Sequence, residues 1–251
     1  MKKLFILLFI AATFSVAGYS QNYNYDVNGD GLVTAFDITA LYDYLLGNVP
    51  SNEHEYVDLG LPSGTLWATT NIGANSPEEY GDYFAWGETT PKDIYNWSTY
   101  KWCNGSENTL TKYCTNSSYG NNGFVDNKTE LDPEDDAATV NWGDMWCMPS
   151  REQIKELIDN CTRQWTQMNG VNGRLFTSNI NGASLFLPAS GSRWYGDYDG
   201  VSSLGYYWSR TLETGNPSYA ISLRFLSDGV SCATYFRYCG FSVRPVRVSQ
   251  K

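Results

Sequence analysis

Apolar and polar positions alternate most clearly from Tyr219 to Phe225. Tyr219, Ile221, Leu223 and Phe225 fall on one side, and Ala220, Ser222 and Arg224 on the other. A period of two predicts a half-buried strand. Tyr206–Thr211 and Phe241–Val248 read as further strands, and Gly173–Phe176 with Ser184–Pro188 as a pair. Tyr56–Ala68 reads as strand, turn, strand, with Pro62-Ser63-Gly64 as the turn. Tyr80–Thr89 is an aromatic strand broken by glycines. Helical spacing recurs at Ile38, Leu41, Tyr42 and Leu45, which Gly47 ends, and again at Ile154, Leu157 and Ile158. The second helix carries a start signal, since Ser150 and Gln153 have the spacing of a capping box. Asp93–Asn127 is polar and without period, which predicts a long surface excursion pinned by cysteines. The class implied is α+β, with twisted antiparallel sheets and one or two helices.

The first twenty residues stand outside this pattern. Met1-Lys2-Lys3 is basic, Leu4–Val16 is nearly all apolar, and small residues follow at Ala17, Gly18 and Ser20. That is the grammar of a secretory signal peptide, and the apolar run is too short to span a bilayer. Residues 1–20 therefore read as signal, 22–48 as a small first module, 49–55 as linker and 56–251 as one large domain. An exported protein at the cell surface, in the periplasm or secreted is expected, with no membrane span. Loss of Lys2 and Lys3 takes the formal charge from −10 to about −12. Such a field repels nucleic acid and anionic membranes.

Within the first module, Asp26, Asn28, Asp30 and Asp37 place oxygen ligands at positions 1, 3, 5 and 12 of a loop. Gly31 falls at the sharp sixth position, Leu32 offers a backbone carbonyl, and Thr34 stands where water often mediates. The expected cofactor is Ca²⁺. The shorter Asp37 replaces the usual Glu, so it must approach the ion more closely. An acidic turn without metal is the alternative. DVNGDGLVTAFDITALYDYLLG resembles one half of a dockerin type I repeat. A full dockerin pairs two halves and binds a cohesin, so half a module implies a calcium-stapled cap or an assembly partner of its own.

Six cysteines follow in the large domain, at 103, 114, 147, 161, 232 and 239. Export permits disulfides in any of fifteen pairings, with Cys103–Cys114 and Cys232–Cys239 as the short-loop candidates. The single histidine, His54, lies in the polar linker, which argues against His-based triads.

Aromatic and arginine residues crowd Trp194–Arg247. Such side chains make large, stiff contacts and concentrate on recognition surfaces. They also fill β-rich cores, so both uses stay open. VDLGLPSGTLWA, YGDYFAWGET, DDAATVNWGDMWCMPSREQIKELI, YYWSRT and GFSVRPVR, in that order, resemble the Fibrobacter succinogenes major paralogous domain family, widespread in Bacteroidetes. The resemblance implies a C-type-lectin-like fold, akin to formylglycine-generating enzymes and to the variable proteins of diversity-generating retroelements. Trp67, Trp86, Trp142, Trp146, Pro149 and Trp208 would then be scaffold. The exposed contact face would comprise Trp194, Tyr195, Tyr206, Arg210, Glu213, Asn216, Tyr219, Arg224, Ser227, Asp228, Tyr235, Arg237 and Tyr238.

The function expected is non-catalytic binding or adhesion, toward a protein or a glycan. The alternatives are an oxidase of the formylglycine-generating type using Cys232 and Cys239, or a structural subunit of a surface assembly. The calcium reading carries its own test. Calorimetry should show Ca²⁺ binding to the full chain, and Asp30→Ala should abolish the heat; an unchanged titration in the variant would refute the loop assignment.

Overall fold

The computed structural model describes residues 54–248, and the calcium-loop residues Asp26, Asn28, Asp30, Leu32, Thr34 and Asp37 lie outside them. Its strands are β1 (Tyr56–Asp58), β2 (Thr65–Ala68), β3 (Cys161–Met168), β4 (Val171–Ser178), β5 (Ser184–Pro188), β6 (Ser192–Trp194), β7 (Asp197–Asp199), β8 (Gly205–Leu212), β9 (Tyr219–Phe225), β10 (Val230–Phe236) and β11 (Val246–Val248). Two α-helices join them, α1 (Ala137–Trp142) and α2 (Arg151–Asn160). The sheets are antiparallel and small, in the orders β1-β2-β11, β10-β9-β8, β3-β4-β5 and β6-β7. The outcome is α+β in the broad sense: sheets dominate and helices are few.

The sheet β10-β9-β8 divides the interior. On one side Tyr206, Trp208, Leu212 and Ala220 join a cluster with Phe84, Trp86, Tyr95, Tyr113, Tyr238 and Phe241. On the other, Tyr207, Leu223 and Phe225 join Trp67, Ile154, Leu157, Phe176, Leu187 and Val246. β9 thus runs between two cores, and Ala220, Ile221, Ser222, Leu223 and Phe225 are all buried. Its alternation sorts side chains between two interiors, rather than between core and solvent as the half-buried reading expected. Gly205 opens β8 because a Cβ there would stand 2.0 Å from the Phe225 ring.

Helix α2 starts where its capping box predicts. The Gln153 amide donates to Ser150 Oγ at 3.2 Å, and the Ser150 amide donates to Gln153 Oε1 at 2.8 Å. Ile154 and Leu157 are fully buried against the second core. Helix α1 is capped by Asp136, whose carboxylate accepts the amides of Ala138 and Thr139.

Several expectations change. Tyr80–Thr89 is not a strand: Tyr83, Phe84, Ala85 and Trp86 are consecutively buried, which a two-faced strand at a surface cannot achieve. It pairs only at Phe84 with Phe241. Phe241–Val248 contracts to β11, because residues 241–245 are likewise buried without alternation, and Pro245 cannot donate to a ladder. The Asp93–Asn127 excursion is not all surface, since Tyr95, Tyr100, Leu110, Tyr113 and Cys114 are at most 3% exposed.

No cysteine pins that excursion. All six thiols are free among the described residues. Cys103 donates to Trp97 O at 3.1 Å, and Cys114 to Asn116 O at 3.1 Å, each occupied within its own turn. Cys232 is exposed on β10 while Cys239 is 1% exposed in the first core, so the other short-loop pairing is absent too. Arg237 does the pinning. Its Nε donates to Tyr100 Oη at 2.8 Å, its Nη1 to Tyr113 O and Pro217 O at 3.1 Å each, and its Nη2 to Lys112 O at 3.0 Å. His54 is packed as well, stacked on Trp142 with ring centroids 3.5 Å apart, and that burial pushes its imidazole pKa down.

Candidate functional site

Strands β6 and β7 form a hairpin whose two-residue turn, Tyr195-Gly196, has positive φ at both positions, +45° and +100°. Such turns match the twist of a hairpin and favour Asn-Gly. Gly196 fits that preference and Tyr195 does not, since a bulky residue at positive φ is strained by about 1 kcal/mol or more. The strained residue is also the most exposed large hydrophobic of the described chain, at 65%. Gly191, at φ +68°, brings the hairpin in; a Cβ there would meet Asp199 O at 2.3 Å.

Alternation gives the hairpin two different faces. Arg193 and Tyr198 pair across the strands on one face. The Arg193 guanidinium lies 4.5 Å over the Tyr198 ring and donates to Asp93 O at 3.0 Å and Gly196 O at 3.1 Å. That face clamps the hairpin onto the Asp93–Tyr95 segment. The other face carries Ser192 opposite Asp199, and Trp194 opposite Asp197.

Ser192, Trp194 and Asp199 line a cleft of roughly 160 Å³, closed on its far side by Tyr206, Tyr235, Cys239 and Phe241. The Tyr206 and Tyr235 rings are nearly perpendicular, with centroids 5.0 Å apart, and Tyr206 stacks on Phe241 at 4.8 Å. The two phenol oxygens are 3.5 Å apart. Burial pushes the Tyr235 phenol and the Cys239 thiol well above their ordinary values, so both are neutral at physiological pH. Asp199 is the one acidic side chain in the lining.

The expected contact residues separate into groups. Trp194, Tyr206 and Tyr235 meet in this cleft, and Tyr195 stands beside it at 6.3 Å from the Tyr238 ring. Arg224 is the cross-strand partner of Tyr206, half-buried, with its Nε unpartnered among the described residues. Tyr219 is half-buried and stacks on Phe236 at 4.4 Å. Arg210 is engaged elsewhere, donating to Glu130 Oε2 at 2.9 Å and Cys147 Sγ at 3.1 Å. Glu213 and Asn216 bond within the β8–β9 connection, to the amides of Gly215 and Ser218. Ser227 and Asp228 are exposed in the β9–β10 turn, at the opposite end of the sheet. Arg237 and Tyr238 were expected outside and are inside, at 0% and 4% exposure, because both serve the first core.

Sequence reasoning missed Ser192, Asp199, Cys239 and Phe241. The signal for the first two was present, as alternation on both sides of Tyr195-Gly196, but each strand is only three residues long.

Among the described residues, no group of three or more His, Cys, Asp or Glu side chains is placed to hold a metal, and no helix is long and apolar enough to cross a membrane. Residues 24–60 match the Dockerin type I domain family, a span that contains the Asp26–Asp37 loop and runs into β1. Comparison with curated proteins and with solved structures gives no match.

The strain at Tyr195 is testable. Tyr195→Asn should raise stability to chemical unfolding by up to about 1 kcal/mol, because Asn tolerates positive φ. A clear fall in the urea midpoint would show instead that the ring's contact with Tyr238 outweighs the backbone relief.

Proposed function

We propose that the chain is an exported, non-catalytic ligand-binding protein. Its large unit is a C-type-lectin-like domain that presents the β6–β7 hairpin and the adjoining cleft to a protein or glycan. Its N-terminal module is a calcium-stabilised dockerin-like element that joins an assembly partner. The observation that carries the reading is the pairing of a strained, exposed Tyr195 with an aromatic cleft one residue away at Trp194. Strained conformations persist where function holds them, and exposed aromatics beside a pocket are the usual anchors of an interface. The antiparallel sheets, the joining of the two ends of the unit in sheet β1-β2-β11, and the ordered family-like motifs support the lectin-like architecture. The dockerin type I match at 24–60 supports calcium and a protein partner for the first module.

The match covers more residues than the single half-repeat visible by motif, yet the loop signature DVNGDG occurs once. A partner that accepts one calcium loop is therefore the economical reading.

The test is a binding screen of the full chain against a glycan array and a panel of purified extracellular proteins. Saturable binding to at least one probe is expected, weakened about thirtyfold or more by Tyr195→Ala or Trp194→Ala, the loss of a hot spot worth about 2 kcal/mol. Binding that both substitutions leave intact would place the contact surface elsewhere, and a blank screen would remove the reading.

A further inference from the structure

Strand β10 pairs with β9 on one side only. We infer that its outer edge docks the same strand of a second copy of the chain, run antiparallel about a twofold axis at Cys232. The ladder shows which backbone groups are free. At the turn the Leu226 amide donates to Gly229 O at 2.9 Å, and beyond the far end the Arg237 amide donates to Ser218 O at 3.1 Å. Both pairs continue the register that matches Val230 to Phe225 and Phe236 to Tyr219. Bonded pairs alternate along an antiparallel ladder, so Ser231, Ala233 and Tyr235 turn their amides and carbonyls toward β9. Val230, Cys232 and Thr234 turn theirs outward, where no backbone group among the described residues meets them. Phe236 is next in the series, but its carbonyl already accepts the Cys239 amide at 3.0 Å. The free sites are therefore centred on Cys232. A reversed copy sets Val230 of one chain opposite Thr234 of the other, and Cys232 opposite itself. Each such pair exchanges two hydrogen bonds.

An unpaired edge is a template for another strand, and proteins blunt it with charge, proline or a cover. The other long edges are blunted in these ways. β3 carries the exposed Arg163, β5 ends in Pro188, and β8 is met by Gly191 at Gly205 and by Ser242 at Tyr207. Val230–Phe236 holds neither a charge nor a proline, and Ser231, Cys232 and Thr234 are exposed on it. Charge favours a second copy at this edge over any other contact between two such chains. A formal −10 on each copy resists association, so contact costs least where the local charge is neutral or balanced. The strand is neutral. Helix α2 packs beside it, and the exposed charges there are balanced: Arg151 and Lys155 against Glu152 and Asp159, with Lys155 paired to Asp159. Neither copy presents a block of one sign. A dimer built this way also doubles the β6–β7 hairpins carried by one particle.

Sedimentation velocity of the full-length protein, from about 1 to about 200 µM, should show a dimer that grows with concentration. Thr234→Pro removes an outward amide and leaves the β9 ladder whole, at a position where an edge strand tolerates proline. By symmetry it deletes two intermolecular bonds, and it should weaken the dimer about tenfold or more with circular dichroism unchanged. Thr234→Lys adds a charge to the edge and should have the same effect; it decides the question if the proline variant is unfolded. Cα atoms of a bonded pair are about 5.5 Å apart. A short bismaleimide should therefore cross-link the dimer through Cys232, the exposed thiol of the six, and Cys232→Ser should abolish the product. A chain that is monomeric over the whole range would leave the edge to a strand of another protein and overturn the inference. A dimer that both Thr234 variants leave intact, or cross-linking that survives Cys232→Ser, would overturn it as well.

Discussion

A guanidinium with no solvent exposure holds the irregular half of this protein to its sheet. Arg237 follows β10 and reaches the carbonyls of residues 112, 113 and 217 and the hydroxyl of Tyr100. It also lies 4.9 Å over Trp86 and 5.2 Å over Tyr100. Burying a charge costs several kcal/mol unless its donors are matched. Here carbonyl dipoles and ring faces match them, and they come from the 93–127 excursion and from the β8–β9 connection. Arg244 repeats the device nearer the chain end: its Nε donates to Asn71 Oδ1 at 2.8 Å and its Nη1 to Ala68 O at 3.1 Å. Burial pushes that guanidinium pKa down to about 10, which leaves it charged at neutral pH. The described cysteines form no disulfides, so these two arginines are the cross-braces of a loop-rich domain.

The brace explains how the binding face can be strained. Strands β8 and β9 are packed on both sides, while β10 is the outer strand, with Ser231, Cys232 and Thr234 exposed. The short hairpin is laid against the β8 edge through the bridge between Gly191 and Gly205. Arg193 and the paired bonds between Arg193 and Gly240, at 2.8 and 3.0 Å, fix that hairpin to the core. A rigid floor lets Tyr195 occupy an unfavourable φ without the turn relaxing, and it holds Trp194 and Asp199 over Tyr206 and Tyr235. Preorganisation of this kind reduces the entropy lost on binding.

Much of the framework was legible. Strand β9 has the predicted bounds, the β4–β5 pairing was anticipated, and Ser150-Gln153 located α2. Strands β3 and β10 were missed because their outward residues, such as Arg163, Gln164, Ser231 and Thr234, dilute the apolar signal. The candidate site was half legible. Exposed and buried aromatics look alike in sequence, and alternation at Tyr219–Phe225 could not tell a core–solvent strand from one between two cores. Arg237 and Tyr238 were misplaced for that reason: their burial is decided by the excursion at residues 93–127, far away in the chain.

The central claim is that the aromatic and arginine residues of the last quarter of the chain divide into inward braces and outward contacts. Equilibrium urea unfolding of Arg237→Ala beside Trp194→Ala tests it most directly. Arg237→Ala should lose about 3 kcal/mol or more, since four acceptors lose a charged donor, while Trp194→Ala should stay within about 1 kcal/mol of the parent. Equal losses in the two variants, or a parental midpoint for Arg237→Ala, would contradict the account.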